Sequence, residues 1–318
     1  MCYSAMVEQD LRKAARMVGG EVDFSALEQL FARRIDDDSI RLGRALEANF
    51  DAPGTPVENR IRDLIDRHRA NVRAGYETAL FAQKKRLADA ERVLAVKQTK
   101  KALDDQRFAT RKIGWLLDKL ADLGRTEAKE GDSRIFPMWY APVVILEEGR
   151  RVIRPMRYHC RPNGKPESYD QRYDGLYNAR RDNLEGFWKN VFGRHHGLLI
   201  AKSFFENVAL HDFEKRELRE GEKPRNLILH FNPRSEAPML VACLWDRWQA
   251  PGKPDLYSFA AITDEPPAEI AATGHDRCII PLEAGAIEAW LDPSPDRKAV
   301  QALLDRRERP YFEHRLAA

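Results

Sequence analysis

The chain has 318 residues, of which 43% are hydrophobic and 32% charged, so it can bury the core of one large domain with an inserted or appended part. Its 53 basic and 50 acidic side chains leave a formal charge of +3, which excludes a generally basic surface but not a local phosphate-binding groove. The sequence has no run of about 18 apolar residues and no signal-peptide pattern, which predicts a cytoplasmic protein without membrane contact.

The cysteines and histidines indicate no metal site. The four cysteines are Cys2, Cys160, Cys243 and Cys278. They form no Cys-x-x-Cys pair, so neither a zinc site nor a disulfide framework is indicated. The adjacent His195 and His196 also lack the spacing of metal ligands. We therefore expect reduced thiols and no metal or organic cofactor.

Residues 24–123 are rich in charge and carry apolar side chains at helical spacing. A turn is predicted at residues 51–57, followed by a long helix, so this region should form a helical hairpin. Leu80, Leu87 and Leu94 follow heptad spacing, but sustained apolar a and d positions are absent. We therefore expect packing within the chain rather than a coiled-coil partner, and a monomer.

After Gly131 the sequence changes to short apolar runs separated by Gly, Pro and Asn. Five runs are predicted to be strands: residues 142–146, 151–153, 197–201, 226–229 and 239–244. Gly149-Arg-Arg and Pro251-Gly-Lys-Pro have the composition of hairpin turns. Short helices are predicted over residues 281–291 and 299–306, so the C-terminal half should be mostly sheet.

The second residue carries the strongest chemical signal. Removal of Met1 would leave Cys2 with a free α-amine and a thiol on adjacent carbons. With ordinary pKa values of about 8 for the amine and about 8.5 for the thiol, both groups are partly nucleophilic near neutral pH. The amine can form a Schiff base with an aldehyde, and the thiolate can then close a thiazolidine ring. A cysteine can also occur at position 2 by chance, so its interpretation as a nucleophile depends on the rest of the chain.

Three later segments supply that context: Tyr177-Asn-Ala-Arg180, Ser203-Phe-Phe-Glu206 and Thr273-Gly-His-Asp-Arg277. Together with the initial Met-Cys, their order and spacing resemble the SOS response-associated peptidase (SRAP) family of abasic-site processing proteins. The resemblance covers the extreme N-terminus and roughly Arg134 to Trp290.

The resemblance implies an α+β fold in which an antiparallel β-sheet curls into a barrel-like core with flanking helices and an inserted helical hairpin. It divides the chain into an N-terminal catalytic segment, residues 1–22, a helical insertion, residues 23–130, and the remainder of the core, residues 131–318. The insertion is interpreted as a packing element, a DNA clamp or the binding site of a protein partner.

The resemblance also implies roles for individual residues. Cys2 would crosslink to the aldehyde of an abasic site, and Asn178 would hold the N-terminal residue or the sugar. Glu206 and His275 would transfer protons while the Schiff base forms. Arg180 would contact a DNA phosphate. Without the resemblance, Glu206 could be a surface carboxylate or the partner of an arginine, and His275 could be a histidine stabilised within its loop. Arg180 could be part of a solvated, charged turn.

The resemblance implies two further contacts with DNA. Arg157 keeps the position of an Arg in the family's Arg-Trp-Gly-Leu stretch, and Tyr158 stands for the Trp. An aromatic side chain there could stack on a base, although Tyr158 equally fits a core position. Tyr3 and Ser4 replace the Gly-Arg that often follows Met-Cys in the family, so a phosphate contact is missing or supplied elsewhere.

The predicted function is an abasic-site sensor in single-stranded DNA that forms a covalent thiazolidine DNA–protein crosslink through Cys2, a lyase-like activity. One alternative is a cysteine-dependent peptidase, because an N-terminal cysteine can also attack a peptide carbonyl. Another is a non-enzymatic interaction protein whose helical insertion binds the partner. Tyr3 and Ser4 keep this last alternative open.

Overall fold

The computed structural model describes residues 3–235 and 237–317, so Cys2 lies outside the described residues. The strands are β1 (Ser4–Val7), β2 (Glu21–Val22), β3 (Arg41–Leu42), β4 (Arg134–Ile135), β5 (Trp139–Glu147), β6 (Arg150–Tyr158), β7 (Asn178–Arg180), β8 (His196–Ala209), β9 (Asn226–Pro233), β10 (Met239–Trp248), β11 (Leu256–Asp264), β12 (Cys278–Ile279) and β13 (Phe312–Leu316). The α-helices are α1 (Leu11–Val18), α2 (Phe24–Arg33), α3 (Arg44–Glu47), α4 (Pro56–Val96), α5 (Lys100–Gly124), α6 (Tyr169–Arg172), α7 (Leu210–Phe213), α8 (Ala268–Ala271), α9 (Ile287–Leu291) and α10 (Arg297–Leu303).

Five strands close into a barrel in the order β8, β10, β11, β6 and β5, with β5 pairing back onto β8. Neighbouring strands of the barrel are antiparallel except β6 and β11, which run parallel. Closure leaves these five strands without a free edge. The predicted α+β fold with a curled antiparallel core is therefore confirmed.

The barrel wall is apolar on both faces, because successive side chains of a strand point to opposite sides. Val143 and Leu199 belong to the cluster that fills the interior. Their neighbours Val144 and Leu198 belong to a second cluster, formed between the outside of the wall and the helices. Burial on both faces explains why the predicted strands are continuous apolar runs rather than alternating ones.

Helices α4 and α5 form an antiparallel pair, which we call the α4–α5 hairpin. Thr55 and Thr99 accept hydrogen bonds at the two helix N-termini, where threonine is a favoured cap. The first turns of α4 bury Ile61 and Ile65 in the outer cluster, whereas most of the remaining hairpin packs only on itself. The predicted helical hairpin is thus confirmed.

All five predicted strands lie within observed strands, and the predicted turns at Gly149 and Gly252 have the positive φ angles that glycine tolerates, 74° and 71°. The helix predicted over residues 281–291 is shorter, because Pro281 and Leu282 form β-bridges with Val241 and Arg307. Among the described helices, none has both the length and the apolar character that crossing a membrane requires.

Candidate active site

Glu206 lies near the end of β8, the longest strand of the barrel. Side chains two residues apart share a face of a strand, so Glu206 lies on the same side as Phe204, which belongs to the interior cluster. Strand β1 pairs with β8 here, with Ser4 opposite Phe205. The first described residues of the chain therefore lie directly beside this carboxylate, whose side chain is 0% exposed.

His275 reaches Glu206 from the loop between α8 and β12. Its Nε2 atom lies 3.2 Å from Oε2 of Glu206, and the imidazole is 8% exposed. The preceding Gly274 has a φ of 88°, and a Cβ atom there would lie 2.7 Å from Cβ of Asp212. Only glycine tolerates both the conformation and the close approach, so Gly274 positions the histidine over the end of β8.

Burial raises the pKa of the Glu206 carboxyl group, because a charge is costly away from water. Hydrogen bonds from His275 and from the backbone amide of Tyr3 oppose part of that shift. A carboxyl group with a raised pKa next to an imidazole can both accept and donate a proton near neutral pH. This pair is therefore a candidate acid–base centre beside the N-terminal strand.

Strand β11 brings the remaining motifs to the same end of the barrel. β7 pairs with it in parallel, with Asn178 opposite Ala261 and Arg180 opposite Thr263. β12, which follows His275, pairs with it in antiparallel orientation, with Ile279 also opposite Thr263. Residues almost a hundred positions apart in the sequence, the Asn-Ala-Arg and His-Asp-Arg segments, thus flank one strand.

Asn178 is 6% exposed, and neither polar atom of its side chain has a hydrogen-bond partner among the described residues. A buried amide without partners costs about 1–3 kcal/mol, which natural proteins rarely accept without a functional reason. The Asn178 side chain is therefore suited to bind a further polar group.

Arg180 is half-exposed and binds the carboxylate of Asp182 through two nitrogens, at 3.1 and 2.6 Å. Asp182 also lies 3.6 Å from Arg277. Its carboxylate therefore pairs with one arginine of the Asn-Ala-Arg segment and one of the His-Asp-Arg segment, at the protein surface. Since exposed ion pairs contribute little, about 0–1 kcal/mol, a phosphate could exchange with Asp182 as the partner of these guanidinium groups.

Arg157 and Tyr158 are not near the surface. The Arg157 guanidinium lies 2.9 Å from Asp170 and donates hydrogen bonds to the backbone carbonyl of His159. Tyr158 is 1% exposed and stacks on Phe259 inside the barrel, with ring centroids 5.1 Å apart. In this conformation both side chains belong to the scaffold, so their predicted contacts with DNA would require a rearrangement.

The three described cysteines are all buried. Burial raises the pKa of Cys160, Cys243 and Cys278 above the ordinary value, so that their reactive thiolate forms are disfavoured. Cys2, the predicted nucleophile, lies outside the described residues. The described thiols thus offer no alternative nucleophile. No group of three or more His, Cys, Asp or Glu within the described ranges could hold a metal ion.

Arg134 is a neighbouring cation for which no role was predicted. Its guanidinium donates to Oγ of Ser4 at 3.0 and 2.9 Å and lies 3.5 Å from the ring centroid of Phe205. Within the described ranges no carboxylate lies within 4 Å of it. Arg134 lies in the short strand β4, between α5 and β5, outside the four motifs of the sequence analysis. Only the pairing of β4 with β1 brings it to the site.

The raised pKa of Glu206 predicts a pH-dependent stability. An acid whose pKa is higher in the folded state lowers stability as pH rises from its ordinary value of 4.5 through the raised value. Gln cannot ionise, so the melting temperature of Glu206→Gln relative to wild type should rise across this pH window. Thermal unfolding at a series of pH values tests this. The exposed Glu185→Gln is the control, and a difference for Glu206→Gln that stays constant with pH would contradict the prediction.

The family model described as "SOS response associated peptidase (SRAP)" matches residues 94–316, more than half of the chain. No curated protein matches the sequence of this chain. The family match includes α5 and the segments that carry Asn178, Glu206 and His275.

Three crystal structures are similar to this chain. One, of a protein from Bacteroides thetaiotaomicron, has 15% identity over 58% of this chain and 77% of that chain, with a TM-score of 0.46. The second, of a protein from Bordetella bronchiseptica, has 18% identity over 61% and 90%, with a TM-score of 0.45. The third, of a phage-related protein from Bordetella bronchiseptica, has 20% identity over 58% and 80%, with a TM-score of 0.43.

Proposed function

The chain belongs to the SOS response associated peptidase (SRAP) family, and from this premise we propose that it captures abasic sites in single-stranded DNA as a covalent adduct of Cys2. Membership of the family supports a DNA-related function associated with the SOS response. The observation that carries the finer proposal is the buried pair of Glu206 and His275, 3.2 Å apart, in which Glu206 accepts a hydrogen bond from the backbone amide of Tyr3, the residue after Cys2.

The proposed reaction joins Cys2 to the ring-opened sugar in two steps. The α-amine adds to the aldehyde carbon, and the resulting carbinolamine loses one water to form an imine. The thiol sulfur then bonds to the imine carbon while the thiol proton moves to the nitrogen, which closes a thiazolidine ring. The net change is the formation of C–N and C–S bonds with release of one water.

Proton transfer is the part of this reaction that the protein can accelerate. The ammonium group must lose a proton before it attacks, and the carbinolamine hydroxyl must gain one before it leaves. Glu206 and His275 together can accept the first proton and return the second. In this proposal Asn178 orients the N-terminal residue or the sugar with its buried amide, and Arg180 holds a flanking phosphate.

The test uses protein whose loss of Met1 has been verified by mass spectrometry, incubated with a single-stranded oligonucleotide that contains one abasic site. We expect a heat-stable band of lower mobility on a denaturing gel, with a mass equal to protein plus DNA minus one water. An oligonucleotide with a tetrahydrofuran abasic analogue, which has no aldehyde, is the matched control. No band with the aldehyde-containing DNA would refute the proposal.

The peptidase alternative uses the same cluster. His275 could accept the proton of the Cys2 thiol, and the resulting thiolate could attack a peptide carbonyl, which is the activity that the family description names. Incubation of the processed protein with an unfolded protein substrate distinguishes the two activities. Cleavage that depends on Cys2, without an adduct on abasic DNA, would favour the peptidase.

A further inference from the structure

A row of aromatic side chains runs from the N-terminal strand to the α4–α5 hairpin. The ring centroids of Tyr3 and Phe136 are 6.0 Å apart, and those of Phe136 and Trp139 are 5.5 Å apart. Trp139 lines a cavity between the hairpin and the body of the protein together with Tyr76 of α4. The Tyr76 ring in turn lies 6.0 Å from Trp115 of α5. The row thus begins at the residue after Cys2 and reaches the insertion.

The row continues along α5. Phe108 precedes Trp115 by seven residues, which is about two helical turns, so both side chains lie on one face roughly 10 Å apart. Phe108 is 40% exposed and Trp115 is 42% exposed, although large aromatic side chains are usually more deeply buried. We call Tyr3, Phe136, Trp139, Tyr76, Trp115 and Phe108 the aromatic row.

Cations lie beside three rings of the row. The Lys112 ammonium lies 3.6 Å from the Trp115 centroid, and that of Lys119 lies 5.7 Å from it. The guanidinium groups of Arg111 and Arg134 lie 5.5 Å from Phe108 and 4.8 Å from Phe136, respectively. Among the described residues, none of these four cations has a carboxylate within 4 Å. Asp104 and Asp105, near Phe108, pair with Arg107 and Arg86 instead. The carboxylates of Asp104 and Asp105 are therefore paired with other arginines, whereas the four cations beside the rings have no such partner in the described part of the chain.

We propose that the aromatic row is a binding track for single-stranded DNA, through which the insertion holds the strand on its way to the N-terminal site. This inference rests on the proposed function and extends it to the α4–α5 hairpin. Rings alternating with cations suit a nucleic-acid strand, because any base can stack on an aromatic ring and each phosphate requires a positive charge. A protein partner fits less well, since the centres of protein interfaces are depleted of lysine.

The experiment measures fluorescence anisotropy of labelled oligo-dT without an abasic site, in a long form of about 20 nucleotides and a short form of about 6, near the lower site sizes of single-strand binders. Trp115→Ala should weaken binding of the long oligomer at least about fivefold and leave the short one unchanged, because loss of one stacked base costs at least about 1 kcal/mol. Lys112→Ala should weaken binding of the long oligomer and reduce its dependence on salt.

Phe81→Ala and Lys84→Ala are the matched controls, because Phe81 is 74% exposed on α4 and neither residue belongs to the row. Equal affinities of Trp115→Ala and Phe81→Ala for the long oligomer would overturn the inference. So would a dimer, detected by light scattering, that Trp115→Ala disrupts without any loss of DNA affinity. The same variants are tested for crosslinking to a short abasic oligomer. Failure of wild type to crosslink counts against the proposed function, whereas anisotropy on intact DNA tests the aromatic row separately.

Discussion

Replacing Cys2 with alanine is expected to abolish the heat-stable adduct with abasic single-stranded DNA. The Cys2→Ala protein keeps an N-terminal amine after Met1 removal, so it can still form an imine, but it has no sulfur to close the ring. An imine hydrolyses during denaturation, and the gel should therefore show no shifted band. The described residues offer no substitute, since Cys160, Cys243 and Cys278 are buried with raised pKa values.

Borohydride supplies the control for this first prediction. It reduces an imine to a stable amine, so Cys2→Ala with borohydride should give a shifted band, while the same protein without it should not. That result would separate loss of the thiol from loss of folding or of DNA binding. A stable adduct of Cys2→Ala in the absence of reductant would contradict the thiazolidine mechanism, and another nucleophile would then have to be identified.

Replacing Glu206 with glutamine is expected to slow adduct formation by about a hundredfold, the lower end of the range for general acid–base catalysis. Gln is nearly isosteric with Glu and avoids an unpaired buried charge, so it removes proton transfer with little change in packing. The rate is measured under single-turnover conditions, with protein in excess over abasic DNA. The final yield should approach that of wild type, because the cysteine is intact.

Two further measurements show whether Glu206 acts on the chemical step. Binding of the tetrahydrofuran-containing oligonucleotide should be equal for Glu206→Gln and wild type, whereas a merely structural role would weaken it. The exposed Glu185→Gln should react at the wild-type rate. A wild-type rate for Glu206→Gln would remove the carboxyl group from the mechanism and leave His275 as the remaining candidate for proton transfer.

The sequence was sufficient to predict four of the five barrel strands, all except β11. The strands over residues 142–146 and 197–201 are buried on both faces, and such continuous apolar runs are recognisable without a structure. The long helix α4 was equally clear, because its apolar residues recur at helical spacing, although it begins at Pro56, inside the turn predicted over residues 51–57. Residues 281–291 were harder, since the bridges that Pro281 and Leu282 form involve partners distant in the sequence.

For the candidate site, the sequence by itself determined the residue types, their order and the family, because short motifs survive as local patterns. Only the tertiary structure decided which residues meet. Glu206 and His275 come within 3.2 Å because β8 and the loop before β12 converge at one end of the barrel. Burial was equally a tertiary property: Tyr158 lies inside the barrel, whereas Trp115 remains 42% exposed on a helix face. Both residues are aromatic and lie in regular secondary structure, so the sequence does not show which one is buried. Closure of the barrel buries Tyr158, whereas Trp115 lies on a helix of the α4–α5 hairpin.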